Sequence, residues 1–235
     1  TSLEDMERLM SLTPHVLAAV GSPVDASAAT AHGTLGAVEA VLSSDLKDAT
    51  PGRALVHGCG AVGGTVAKTL VEEGWTVFTV DLNRERAGLA GATPLPPSCP
   101  WWEVKVDLML PCSISGLINS EIADGMRTNA VVPAANAPFQ NPQLADQLRQ
   151  RGIPVLPDPL VNAGAVIADS IERFSPQAWK GAGAEDVYAF VRSEVRRRAT
   201  EYLSQREQGL SVGDALTEVA ADTTDPIGLS FKDTP

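Results

Sequence analysis

Gly58, Gly60 and Gly63, in the run Gly58-Cys59-Gly60-Ala61-Val62-Gly63, and Asp81, 18 positions beyond the last of them, are the residues whose types and spacing point to chemistry. A glycine at 58 permits a tight turn. A glycine at 60 has no Cβ, so a pyrophosphate can approach the backbone there. A glycine at 63 lets a following helix pack closely. The N–H groups and partial positive charge of that helix's N-terminus suit phosphates. Asp81 would accept hydrogen bonds from the adenosine ribose hydroxyls and repel a 2′-phosphate, which favours NAD over NADP; Arg84 and Arg86, just beyond, soften that preference. Ala61, Val62 and Leu82 join these residues in the expected cofactor-binding set. A sheet that keeps the motif but has lost its ligand is the competing reading.

Such a loop works only between a strand and a helix, and the flanking residues supply both. Arg53–Gly58 is a short apolar run, Gly64–Glu73 is helical, Gly74 turns, and Trp75–Val80 is β-rich. Upstream, Ser2-x-x-Asp5 resembles a capping box before Leu3, Met6, Leu9 and Met10. Thr13-Pro14 interrupts that helix, Gly21-Ser22-Pro23 is a loop, and Ser27–Leu42 is a small-residue helix. Downstream, a Pro-rich loop is expected over Gly91–Cys99 and strands over Val106–Met109, Ala130–Pro133 and Pro154–Leu156. Helices are expected from Asn162 to about Phe174, over Glu185–Gln208 up to Gly209, and over Val212–Ala220, with a loose tail from Thr223. The alternation predicts an α/β fold, a doubly wound Rossmann-type parallel sheet with flanking N- and C-terminal helices. Residues 1–50 would be N-terminal helices packing on the core, 51–175 the NAD-binding unit and 176–235 the C-terminal helices and tail, all in one structural domain.

At 235 residues the chain can bury a sizeable core. A net charge of −11 argues against nucleic acid as a partner. No apolar run approaches the ~20 residues of a membrane span. Cys59, Cys99 and Cys112 have no CxxC spacing, so they read as small buried thiols of a reducing compartment, cytoplasm or organelle matrix, rather than disulfides or zinc ligands. With no signal peptide at the start, secretion is not expected. Thr1 is not an initiator methionine, so the chain is expected to have been processed, trimmed or cut from something longer. His15, His32 and His57 show no metal-ligand pairing and read as packed or surface residues, and Arg192, Arg196, Arg197 and Arg198 read as a solvated helix face.

Four further stretches follow in order: Asp107–Asn119 (DLMLPCSISGLIN), Val132–Pro142 (VPAANAPFQNP), Arg151–Val166 (RGIPVLPDPLVNAGAV) and Gly209–Asp222 (GLSVGDALTEVAAD). Together with the glycine loop they closely resemble the glutamate/leucine/phenylalanine/valine dehydrogenase family, and the last looks like the closing segment of its leucine branch. The resemblance implies oxidative deamination of an L-amino acid with NAD(P). It places Thr30 near the nicotinamide amide, Asn136 beside the nicotinamide ribose and Asn162 at the junction of cofactor and substrate. It puts Val166 and Asp169 where two residues shape the substrate side-chain pocket. Asn136 and Asn162 also follow strand candidates, at the carboxyl ends where ligands of such sheets bind.

The same resemblance implies a domain, ahead of this region, that carries two lysines and a catalytic aspartate. Lys47, Lys68, Lys105, Lys180 and Lys232 do not stand in the required setting, Ala165 replaces the second glycine of an Asn-Ala-Gly-Gly motif, and Asp169 puts a carboxylate in the pocket. No residue here is therefore expected to be catalytic, and no metal is expected. One reading is the cofactor-binding piece of a dehydrogenase whose catalytic domain has been removed or is supplied by another polypeptide. The other, preferred if these 235 residues are the whole chain, is a degenerate non-catalytic module, an accessory or scaffold-bound subunit of a larger assembly.

Overall fold

The computed structural model describes residues 3–13, 22–44, 46, 51–221 and 226–233. Ser2, Pro14, His15, Gly21, Lys47 and Thr223, on which parts of the sequence reading fall, lie outside them. In chain order the elements are α1 (Leu3–Met10), α2 (Ala26–Ser44), β1 (Arg53–His57), α3 (Ala61–Glu72), β2 (Thr76–Val80), α4 (Arg84–Ala87), β3 (Thr93–Pro94) and β4 (Val106–Pro111). Then come α5 (Ser120–Gly125), β5 (Thr128–Val131), α6 (Pro142–Gln150), α7 (Asp158–Val161), α8 (Gly164–Phe174), α9 (Pro176–Gly181), α10 (Ala184–Glu207) and α11 (Val212–Ala221).

The five strands form one parallel sheet in the order β3-β2-β1-β4-β5. Both faces are covered, so the strands are apolar at successive positions rather than alternating with polar ones. Ala54, Val56, Leu108 and Leu110 turn to a core built with α2, α3, α8 and α10. Leu55, Met109 and Val131 turn to the opposite face, against Trp101, Ile122, Leu144 and Leu148. The fold is the Rossmann-type α/β arrangement. Its strand order reverses between β1 and β4, which opens a crevice at their carboxyl ends. Helix α10 lies along α2 at close range: a Cβ on Gly36 would stand 2.2 Å from the Arg192 carbonyl oxygen.

Several expectations are corrected. The Gly91–Cys99 stretch is not all loop, because Thr93 and Pro94 pair with β2 as an edge strand. Pro154–Leu156 is not a strand; it meets β5 at a single parallel bridge, Val131 with Val155. Two prolines, at 154 and 157, remove the N–H groups a longer ladder needs. Strand β5 begins two residues earlier than expected, and α3 begins at Ala61, inside the glycine motif. Asn162 closes α7 instead of opening α8. The tail is anchored beyond its undescribed part. Phe231 packs edge-on against Phe190, and Ser175 Oγ donates to the Gly228 carbonyl at 2.8 Å.

Of the four α10 arginines, Arg196 and Arg197 lie on an exposed face as expected, while Arg192 and Arg198 do not. Arg192 grips Glu39 of α2 at 2.6 Å and Glu73, which caps α3, at 3.1 Å. Arg198 donates to the Val219 carbonyl of α11 at 2.9 Å. No described helix is long and apolar enough to cross a membrane.

Candidate functional site

The crevice is built first by backbone. Gly58 leaves β1 with φ +92°, a conformation that glycine adopts without strain, and a Cβ there would meet Ser113 at 2.6 Å. A Cβ on Gly63 would sit 1.9 Å from the Gly58 carbonyl oxygen. At Gly60 a Cβ would find nothing within 4 Å. Two of the glycines are therefore required by the loop's own packing. The third borders open space in front of the N-terminus of α3, where no side chain caps the first N–H groups.

Asp81, at the end of β2, reaches back to this loop. Its Oδ2 accepts the Cys59 N–H at 2.7 Å and its Oδ1 the Asn83 N–H at 2.8 Å. Asn83 in turn caps α4 by accepting from the Glu85 and Arg86 N–H groups. Leu82 projects into solvent, 92% exposed, as do Ile114 and Val166. His57 lies behind the loop, its ring 4.6 Å from that of Trp101 and its Nδ1 2.9 Å from Ser113 Oγ. Burial pushes its pKa down to about 4, so it is neutral at pH 7. Burial also pushes the Cys59 and Cys112 thiols up to about 11 and about 12; all three cysteines are free.

The far end of the crevice brings two predicted residues together. Asn162 Nδ2 donates to Asn136 Oδ1 at 2.7 Å and to the Ala134 carbonyl at 3.3 Å. Asn136 Nδ2 and Asn162 Oδ1 remain without a hydrogen-bond partner among the described residues. Asn136 is presented by a turn that sequence reasoning missed. Ala137 takes φ +42°, rare for a residue with a Cβ. The Asp158 carboxylate accepts its N–H at 2.9 Å, and Gly116 donates to its carbonyl at 2.8 Å. Ala137-Pro138 marks the end of regular structure, since a residue before proline is disfavoured in the right-handed helical region, but nothing in the sequence marks the positive φ.

Thr30 faces this end from α2. A Cβ on Gly164 would stand 2.1 Å from the Ala29 carbonyl and 2.7 Å from Thr30 Cα, so α8 starts hard against Thr30. The Thr30 hydroxyl donates to the Ala26 carbonyl at 2.9 Å. Val166 and Asp169 lie one turn apart on α8. Asp169 has no ion pair among the described residues, and burial, with Glu172 adding, pushes its pKa up to about 6.

With this geometry in hand, comparison with known proteins finds one family model over residues 81–220, described as glutamate/leucine/phenylalanine/valine dehydrogenase. Leucine dehydrogenase of Thermoactinomyces intermedius is 30% identical over 176 residues, 71% of this chain and 48% of that protein. Leucine dehydrogenase of Geobacillus stearothermophilus is 28% identical over 234 residues, 94% of this chain and 60% of that protein. The chain thus spans about half the length of the curated relatives it matches. Among solved structures, L-tryptophan dehydrogenase from Nostoc punctiforme superposes with a TM-score of 0.72 at 24% identity, over 88% of this chain and 61% of that one. Hetero-hexameric glutamate dehydrogenase from Thermus thermophilus gives 0.70 at 22%, over 90% and 55%. At such identities the likeness is one of fold.

Proposed function

This chain belongs to the glutamate/leucine/phenylalanine/valine dehydrogenase family, and we propose that it forms the part of an amino-acid dehydrogenase that holds NAD. The observation that carries the reading is the contrast among the three glycines: Gly58 and Gly63 are closed by their neighbours, and Gly60 faces open space at a helix N-terminus. That is the cradle a pyrophosphate needs. Asp81 would take the adenosine ribose, with Leu82 beside it and Ala61 and Val62 lending backbone. Thr30, Asn136 and Asn162 would meet the nicotinamide end, where the paired amides keep one donor and one acceptor for the ligand. NAD, once bound, supplies the hydride acceptor for oxidation of an L-amino acid. Val166 and Asp169 would border that substrate's side chain.

A second reading, a dinucleotide-holding subunit that performs no chemistry itself, is favoured by where the lysines lie. Lys68 is on the outer side of α3, its side chain 74% exposed and 3.8 Å from Glu72. Lys105 precedes β4 at the amino end of the sheet, away from the crevice, and Lys180 is exposed on α9.

The test is calorimetric titration of NAD into the chain and into Gly60→Val. The branched side chain fills the open space without touching the core, so binding should be abolished with the unfolding temperature held. Unchanged affinity would mean that no dinucleotide sits at this loop.

A further inference from the structure

Away from the crevice, a cavity of about 240 Å³ opens between the end of α6 and the last turns of α10, walled by Arg149, Ile153, Val155, Tyr202, Leu203 and Arg206. Its apolar lining is ordinary, but its polar groups are not paired as interiors require. Tyr202 is 2% exposed, and its hydroxyl has no hydrogen-bond partner among the described residues. Arg149 Nε, on the same wall, is likewise buried and unpartnered. Buried polar atoms are nearly always satisfied, so two orphan donors on one small cavity call for an acceptor inside it.

The neighbouring charges say what kind of acceptor. Arg149 spends the rest of its guanidinium on Asp146 Oδ1 at 2.8 Å and the Val155 carbonyl at 3.1 Å, so its charge is matched. Arg206 donates to the Leu210 carbonyl and forms no ion pair among the described residues. Glu207 stands exposed at the rim, where solvent screens it. Both helices point their carbonyl ends this way. In their last turns, however, the carbonyls of Arg149, Leu148, Arg206 and Gln205 accept the N–H groups of Gly152, Ile153, Gly209 and Leu210, and the buried side-chain atoms left unpaired on the cavity wall are donors.

We propose that this cavity binds a small oxyanion, a phosphate or carboxylate group, whose oxygens accept from the Tyr202 hydroxyl and Arg149 Nε and whose charge is balanced by Arg206. The site is separate from the dinucleotide crevice and stands whether or not NAD binds there. A water molecule could satisfy the two donors but would leave Arg206 unbalanced. The size of the cavity admits an inorganic anion or a compact metabolite, not a nucleotide.

Thermal unfolding of the full chain decides it, in inorganic phosphate or in acetate against chloride of equal ionic strength. A ligand that binds the native state alone raises the midpoint. The wild-type chain should gain stability in at least one of the two, and whichever acts identifies the group. Tyr202→Phe should bind that anion about tenfold more weakly in calorimetric titration, because one hydrogen bond is lost. Arg206→Gln should show no binding at all. Without anion, Tyr202→Phe should unfold no earlier than wild type, since it removes a hydroxyl that nothing pairs. The proposal is overturned if neither anion raises the wild-type midpoint. It is equally overturned if both variants gain as much as wild type, as they would if phosphate sat in the Gly58–Gly63 loop or stabilised the chain only as a general salt.

Discussion

Asp81 has two tasks for one carboxylate. It anchors the glycine loop through the Cys59 N–H, and in the proposed complex it also takes the ribose. Removing it should therefore cost both dinucleotides something, and NAD more, because NADP loses the anchor but is relieved of repulsion at its 2′-phosphate. For Asp81→Ala we expect NAD affinity to fall by about 1.5–3 kcal/mol, the worth of a charged hydrogen bond, and NADP affinity to fall by less. Equal losses in parallel titrations would leave Asp81 with its loop-anchoring task alone. The ribose task was legible in the spacing from Gly63 to Asp81. The anchoring task was not, because it depends on the register that sets His57 beside Val80. The glycines divide in the same way. The sequence marks all three, and only the packing around them separates the two that the loop itself requires from the one that leaves room.

Among the elements, the join between α2 and α10 is the one that most constrains the crevice, since α2 carries Thr30 and buries itself against α10 by way of Gly36. A methyl group at 36 would overlap the Arg192 carbonyl and push apart helices that Arg192 also ties through Glu39 and Glu73. Gly36→Ala should destabilise the chain by about 1–3 kcal/mol, the usual cost of overpacking. Gly60→Ala, facing open space, should leave the denaturation midpoint within about 0.5 kcal/mol of wild type; equal effects at the two positions would contradict the packing described. Helix α2 was readable from its run of small and apolar residues, α11 from its apolar positions, and α10 from its apolar positions up to Gly209, which stops it. Asn141-Pro142, an N-cap followed by proline, with Leu144 and Leu148 behind it, announces α6 as plainly but was overlooked. Edge strand β3 could not be read: two residues, one a proline, carry no period, and only pairing with β2 makes them a strand. Arg192 and Arg198 misled because charge on a helix says nothing of which neighbour faces it.

For the molecule as a whole, two groups make stability depend on pH in opposite senses. His57 is held down to about 4 by burial, so between about 4 and 6.5 the unfolded chain binds more protons, and stability falls as pH falls through that window. Asp169 is held up to about 6, so between about 3.8 and 6 the native chain binds more protons, and stability rises as pH falls. Each masks the other in a wild-type pH series. In denaturant titrations from pH 4 to 8, His57→Gln should lose less stability on acidification than wild type. Asp169→Asn should gain stability at pH 8 and gain nothing at pH 4. A His57→Gln series parallel to wild type would show that the buried ring does not titrate as described.

Catalysis is the other property that belongs to the whole molecule rather than to any one site. Oxidising an amino acid by hydride transfer to NAD, and then hydrolysing the product, needs a base to take protons and activate water and a cation to hold the substrate carboxylate. Acid–base help alone is worth about 10²–10⁴ in rate. The crevice offers amides, a threonine, backbone N–H groups and the carboxylates of Asp81 and Asp158, each already accepting from backbone N–H. His57 is neutral, packed at a tilt against Trp101 and tied to Ser113 behind the loop, and Lys68, Lys105 and Lys180 stand elsewhere. Asp169, ionised above about pH 6, is the one carboxylate argued to border the substrate side chain. We therefore expect these 235 residues, purified alone, to bind NAD yet to show no amino-acid-dependent NAD reduction. A steady-state absorbance assay with each of the twenty amino acids at pH 8 to 10 checks this. Turnover appearing only when a second polypeptide is added would identify the chain as the cofactor half of a divided enzyme. Turnover by the chain alone would mean that Asp169, or a group brought in by association of identical chains, acts as the base, and would refute the non-catalytic reading.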